Sequence, residues 1–139
     1  MLYENKITVF NYENTNEIFL KTLITNVECQ YTIGIERLPE YNVSNDRCLV
    51  MIKFENVNGE KTTGNNKKYK DYKEWDNLQD KSGYFTFKTS KDFFAIGDFT
   101  NTVVTSFEEF KNQYANKVFL INEYKEYTSL VPHWELYGG

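Results

Sequence analysis

Histidine occurs once in this chain, at His133, and cysteine twice, at Cys29 and Cys48. A structural zinc site uses about four ligands, so this inventory holds no ligand set. The two cysteines match no metal spacing, and the burial habit of the thiol makes them a reduced, buried pair. A disulfide does not suit a cytosolic product. A thiol nucleophile would need an activating base, and His133 is the sole histidine candidate. A Ser-His-Asp arrangement would also have to be written on His133, outside any motif context. The glycines at 34, 59, 64, 83 and 97 are isolated, so no phosphate-cradling loop is present. No apolar run approaches the ~20 residues of a membrane span, and the opening Met1–Phe10 lacks the charged-then-apolar order of a secretion signal. The chain therefore reads as non-enzymatic, without cofactor, metal or membrane, and as soluble and made in the cytosol.

Arginine is also scarce. Only Arg37 and Arg47 are arginines among 16 basic residues, and the rest are lysines. Together with abundant Asn, Ile, Tyr and Phe, this is the residue usage of an AT-rich genome. The net charge of −4 and the isoelectric point near 5.1 argue against general nucleic-acid binding, which needs a basic footprint.

Bulk apolar material, by contrast, is plentiful. Hydrophobic residues make up 40% of the 139 and aromatics 17%, enough for one packed domain over 1–139. Ile7–Phe10 is a short β-rich run ended by Asn11. Ile18–Val27 favours a strand through its β-branched residues, but its mixed spacing predicts a bulge or kink. Gln30–Arg37 reads as extended with a bulge at Gly34, and Pro39 with Asn42–Asn45 as a loop. Arg47–Glu55 is the strongest central-strand candidate, because its apolar run is nearly continuous. Val57–Lys70 reads as a long loop, with Asn58-Gly59, Gly64-Asn65-Asn66 and the lysines Lys61, Lys67, Lys68 and Lys70. A lysine run of this kind either faces water or meets DNA or an acidic partner.

Asp71 and Glu74 stand at capping-box spacing and open a short helix through about Leu78, with Trp75 as its anchor. Tyr84–Lys88 alternates as a strand, and Phe93–Ile96 is expected to pair with it across a tight Ser90-Lys91 turn. Thr102–Thr105 is a further short extended piece. Ser106-Phe107-Glu108-Glu109 repeats the capping-box pattern and predicts a helix over about Ser106–Tyr114, with Phe107, Phe110 and Tyr114 on one face. Val118–Tyr124 and Val131–Tyr137 close the domain as strands. The Gly138-Gly139 tail reads as a short flexible end. His133 and Trp134 read as packing or an interface contact. The expected class is mainly β: a small barrel or sandwich with one or two short helices.

Several segments recur in one order in a known group: Ile7–Asn11, Phe19–Val27, the Tyr72/Trp75 helix, Gly83–Thr86, Asp92–Gly97 and Pro132–Gly138. Over most of its length, apart from Asn56–Lys70, the chain resembles a family of small prophage proteins. These are encoded among the minor capsid genes of tailed phages of low-GC Gram-positive bacteria, and they look like the head-closure, or stopper, class of neck proteins. The resemblance implies a virion subunit, made in the host cytoplasm, that repeats in a ring with copies of itself. Such a ring would sit between the portal and its adaptor on the head side and the tail terminator and tail tube on the other. Packaged DNA would pass through its channel, and projecting loops would close it. On that reading the Lys61, Lys67, Lys68 and Lys70 segment is the channel or inter-ring contact. The other readings are a tail terminator or another neck protein, and a non-viral β-rich binding domain.

Overall fold

The computed structural model of the chain describes residues 6–32, 35–37, 42–44 and 47–139. Its strands are β1 (Lys6–Glu13), β2 (Ile18–Thr25), β3 (Val27–Thr32), β4 (Ile35–Arg37), β5 (Asn42–Ser44), β6 (Arg47–Lys53), β7 (Glu55–Val57), β8 (Glu60–Thr62) and β9 (Lys68–Tyr69). They continue with β10 (Tyr84–Phe85), β11 (Phe93–Ile96), β12 (Val118–Tyr127) and β13 (His133–Gly138). The helices are α1 (Tyr72–Asp76) and α2 (Phe107–Gln113). The protein is mainly β, as its alternating aromatic segments predict.

One seven-stranded sheet runs in the order β2-β1-β11-β12-β13-β6-β3, and a four-stranded sheet in the order β10-β9-β8-β7. A separate antiparallel pair joins β4 and β5. The large sheet turns back on itself without closing into a barrel. Its two edge strands, β2 and β3, are consecutive in the chain and separated by Asn26 alone. Asn26 adopts a left-handed φ of 58°, which asparagine tolerates better than β-branched residues do. The kink predicted in Ile18–Val27 is this corner, where one extended segment leaves one half of the sheet and enters the other. β12 makes the matching turn. Its first residues pair with β11, its later ones with β13, and the register shifts between Ile121 and Glu123.

The inward faces of the strands supply the main core: Ile7 and Val9, Phe94 and Ile96, Phe119 and Ile121, Val50 and Ile52, and Trp134 and Leu136. Trp134 is its centre. The small sheet and its neighbours lay Phe54, Tyr69, Phe85 and Phe87 around the indole at centroid distances of 4.3, 4.9, 5.7 and 5.6 Å. Cys29 and Cys48 belong to this core and form no disulfide. Contact with Cys29 and burial push the Cys48 thiol well above its ordinary range. A second core lies on the opposite face of β1, β11 and β12, where α2 packs Phe110 over Phe10, Phe93, Ala95 and Val118. Ser106 caps α2: its Oγ accepts from the Glu109 amide at 3.1 Å. The Glu109 carboxylate accepts from Thr105 Oγ1 at 2.7 Å, so only half of the predicted capping box forms. Asp71 is the N-cap of α1, with no side-chain hydrogen bond to the helix, and Trp75 is fully buried as its anchor.

Several expectations are corrected. β1 does not end at Asn11 but runs to Glu13. Asn11 is buried and satisfied, donating to the Thr86 carbonyl at 2.6 Å and to Asp92 Oδ2 at 2.8 Å. Tyr84–Lys88 and Phe93–Ile96 do not form a hairpin. The turn between them exists, but β10 pairs in parallel with β9, whereas β11 lies between β1 and β12. The reason is Asp92, whose carboxylate accepts from the Tyr12 and Lys88 amides, each at 3.0 Å. This clasp directs the chain out of one sheet and into the other. Thr102–Thr105 forms no strand. Asn42–Ser44 is a strand rather than a loop, while Gly34, Pro39 and Asn45 lie outside the described residues. The C-terminal glycines are not a loose end: Gly138 is buried within β13, and Gly139 exchanges two backbone hydrogen bonds with Leu120 at 3.1 and 3.2 Å. A Cβ at Gly138 would lie 2.7 Å from the Phe119 Cβ and 2.8 Å from the Phe94 ring. Only glycine fits there.

Candidate functional site

The Val57–Lys70 segment is largely a pair of short strands and their continuation. β7 and β8 form an antiparallel hairpin over Asn58-Gly59, both at positive φ, and β9 returns beside β8. Asn-Gly between extended flanks is the strongest short hairpin signal, so this correction could have been read from the residues. The hairpin folds its lysines onto acidic partners. Lys61 Nζ lies 2.7 Å from Glu126 Oε1, and Lys68 and Lys70 each lie 3.3 Å from the Glu60 carboxylate. These two ammonium groups hold the Glu60 carboxyl below its usual range. Lys61 also sits 5.8 Å above the Tyr69 ring. Of the four lysines named for DNA or inter-ring contact, only Lys67 has no acidic partner among the described residues.

His133 and Trp134, neighbours in sequence, point to opposite faces of β13. Trp134 is fully buried, which removes it as an interface residue. Its Nε1 donates to Glu126 Oε1 at 3.0 Å, so Glu126 joins the buried indole to the Lys61 ion pair. His133 lies on the outer face. Its Nδ1 donates to the Val131 carbonyl at 2.8 Å, and its ring stacks on Tyr127 at 4.9 Å. Its Nε2 lies 3.4 Å from Glu135. Glu135 also accepts from the Tyr137 hydroxyl at 2.7 Å, and that bond holds its carboxyl below the usual range. Among the described residues no group of three or more His, Cys, Asp and Glu side chains gathers in a way that could hold a metal ion.

Two surface features are not evident from residue order. The first is an open cleft of about 600 Å³ beside the β2–β3 corner, the β6–β7 link and the β12–β13 loop. Val57, Leu130 and Val131 stand at its rim, with exposures of 47, 101 and 55%. Single exposed hydrophobic residues are ordinary, but a group on one rim marks a contact surface. Val103 is a separate exposed residue, at 85%, on the loop ahead of α2.

The second feature is a slot of about 390 Å³ between β2 and the turn that enters β10. It is lined by Leu20, Lys21, Lys67, Lys81, Gly83 and Tyr84, among others. The slot lies where the large sheet stops at β2 and the small sheet stops at β10. Its lysines come from three separate parts of the chain, so no local motif announces it.

A family model covers residues 2–139, nearly the whole chain, and the chain belongs to that family, described as a family of unknown function (DUF6751). No curated protein matches it. No solved structure matches it either.

Proposed function

We propose that this DUF6751 member is a structural protein of a tailed-phage virion: a head-closure subunit that repeats in a ring, closes the DNA channel and joins tail to head. The observation that carries the reading is the grouped apolar rim of Val57, Leu130 and Val131, formed by two hairpins. A closed ring is built from heterologous contacts, so each subunit needs two different patches that meet head to tail, and this rim supplies one of them. The sequence resemblance to neck proteins supplies the class, and the acidic balance of the chain fits a wall along which DNA must slide. Pairing of Lys61, Lys68 and Lys70 with glutamates fits the same role, because lysines so paired grip phosphates weakly. Under this reading Leu130 and Val131 dock on an adjoining subunit or ring.

The test is deletion of the gene in the strain that carries the prophage, followed by induction and complementation. The expected outcome is heads that lose DNA and lack tails, restored by the wild-type chain but not by a folded Leu130→Asp/Val131→Asp variant. Infectious, tailed, DNA-filled particles from the deletion strain would overturn the proposal. The slot beside β2 favours a second reading, a β-rich binding domain outside any virion. Absence of the protein from purified particles would support it.

A further inference from the structure

β2 is an edge strand of eight residues whose only strand neighbour among the described residues is β1. Exposed edges of folded proteins are usually blunted by lysine, proline, a bulge or a cover. β2 carries one lysine, Lys21, and no proline. From the far side, the one side-chain hydrogen bond to it among the described residues is from Asn65, which donates to the Leu23 carbonyl. Over Ile18–Thr22 the edge opens instead onto the slot, whose other wall is the Lys81–Tyr84 turn and Lys67.

The charge of the slot is opposite to that of the protein. Lys21, Lys67 and Lys81 line it, against the single carboxylate of Glu13. Glu13 is already engaged: it accepts from the Thr15 and Asn16 amides at 2.9 and 2.8 Å, and these bonds hold its carboxyl below the usual range. Lys81 is anchored by donation to the Leu78 carbonyl at 2.8 Å. Lys21 and Lys67 have no acidic partner among the described residues. Ile18, 47% exposed, and the half-buried Leu20 add apolar surface on the same edge.

We infer that this slot takes an extended acidic peptide of a partner protein, added as a strand along β2. Backbone hydrogen bonds to the open edge would supply affinity, and alternate side chains specificity. Because side chains alternate along a strand, the segment that fits carries aliphatic residues toward Ile18 and Leu20 and carboxylates toward Lys21 and Lys67. This inference does not depend on the neck reading, since an open edge with this charge accepts such a segment in any setting.

The probe is a fluorescein-labelled peptide of about ten residues, a long strand's length, alternating Val and Glu. Its binding to the full chain is followed by anisotropy. Controls are the same peptide with Lys in place of Glu, and two Val-Glu peptides N-methylated on alternate amides, one in each register. The acidic peptide should bind, the basic one should not, and one N-methylated register should lose binding. A Lys21→Glu/Lys67→Glu variant, checked for folding by circular dichroism, should bind about tenfold or more weakly, as loss of two charge contacts implies. Amide hydrogen exchange of the wild type should slow over Ile18–Thr22 when the acidic peptide is present, a readout that needs no variant. No binding by the acidic peptide, equal binding by the basic one or by both N-methylated ones, or unchanged exchange in β2 would each overturn the inference.

Discussion

The two halves of the long sheet are built on different terms. In the half made of β2, β1, β11 and the start of β12, both faces carry structure: the inner face holds Ile7, Val9, Phe94 and Ile96, and α2 covers the outer face over Phe10 and Phe93. β11 is accordingly buried at every residue. In the half made of β12, β13, β6 and β3, the inner face is equally apolar but, among the described residues, no helix covers the outer one. There β6 and β13 alternate between buried and accessible positions. The sequences mirror this: Phe93-Phe94-Ala95-Ile96 is continuous, whereas His133–Gly138 alternates. A strand between two layers needs apolar side chains on both faces, and a half-covered one needs them on one. The difference separates a half of the sheet packed on both faces from a half packed on its inner face.

The sharpest way to break this comparison is a matched pair of truncations on the two outer faces. Phe93→Ala removes a fully buried ring that stacks at 4.6 Å on Phe10 and meets Phe107 and Phe110, and it should cost about 3–5 kcal/mol in urea unfolding. Met51→Ala, half-buried on the outer face of β6, should cost about 1 kcal/mol or less. Similar losses at the two sites would mean that the outer face of β6 is covered as well.

A smaller effect is expected where the halves meet. Gly138→Ala places a methyl group against Phe94 and Phe119 and should cost about 1–3 kcal/mol as overpacking, read from the same unfolding curves. A null result would require the end of β13 to move away from the core.

The Asp92 clasp gives a pH test of comparable size. Burial raises its pKa to about 6 against an ordinary 3.8, even though three N–H groups donate to the carboxylate. A folded-state pKa above the unfolded one means that the folded protein binds the proton more tightly. The resulting stabilisation is complete below about pH 3.8 and is lost as pH rises through about 6. Asp92→Asn removes this titration. The stability difference between wild type and variant should therefore shift by on the order of 2–3 kcal/mol between pH 4 and 7, with the wild type losing ground as pH rises. A flat difference would show that the three donors offset desolvation, and a wild type gaining ground as pH rises would show that they outweigh it.

The smallest effect concerns the cover itself. Ser106→Ala removes the only side-chain cap of α2 and should cost about 1 kcal/mol. The amides of Phe107–Gln113 should then exchange hydrogen faster while those of β6 stay unchanged.

What the residues revealed follows from range. Ser106, Trp75 and the Arg47–Glu55 run act through neighbours close in sequence, and each was legible. Asn58-Gly59 was legible too, although the lysines around it drew the reading toward a loop. The false hairpin at Tyr84–Ile96 was not legible, because its local alternation is real and only the distant Asn11 and Tyr12, through Asp92, decide where each arm pairs. Gly138 likewise depends on the distant Phe94 and Phe119. Of the lysines singled out, Lys61, Lys68 and Lys70 turned to Glu126 and Glu60. Lys67 joined Lys21 and Lys81 in a slot that exists only where two sheets fail to meet, and that is a property of topology, not of any segment.

The proposed place of this chain at the junction of head and tail is tested most directly by electron cryomicroscopy of intact particles from the strain that carries the gene. The account predicts a ring of copies between portal and tail, with the Leu130–Val131 tip at a contact between subunits or rings. Particles whose neck is complete without this chain, or a copy found elsewhere in the virion, would contradict it.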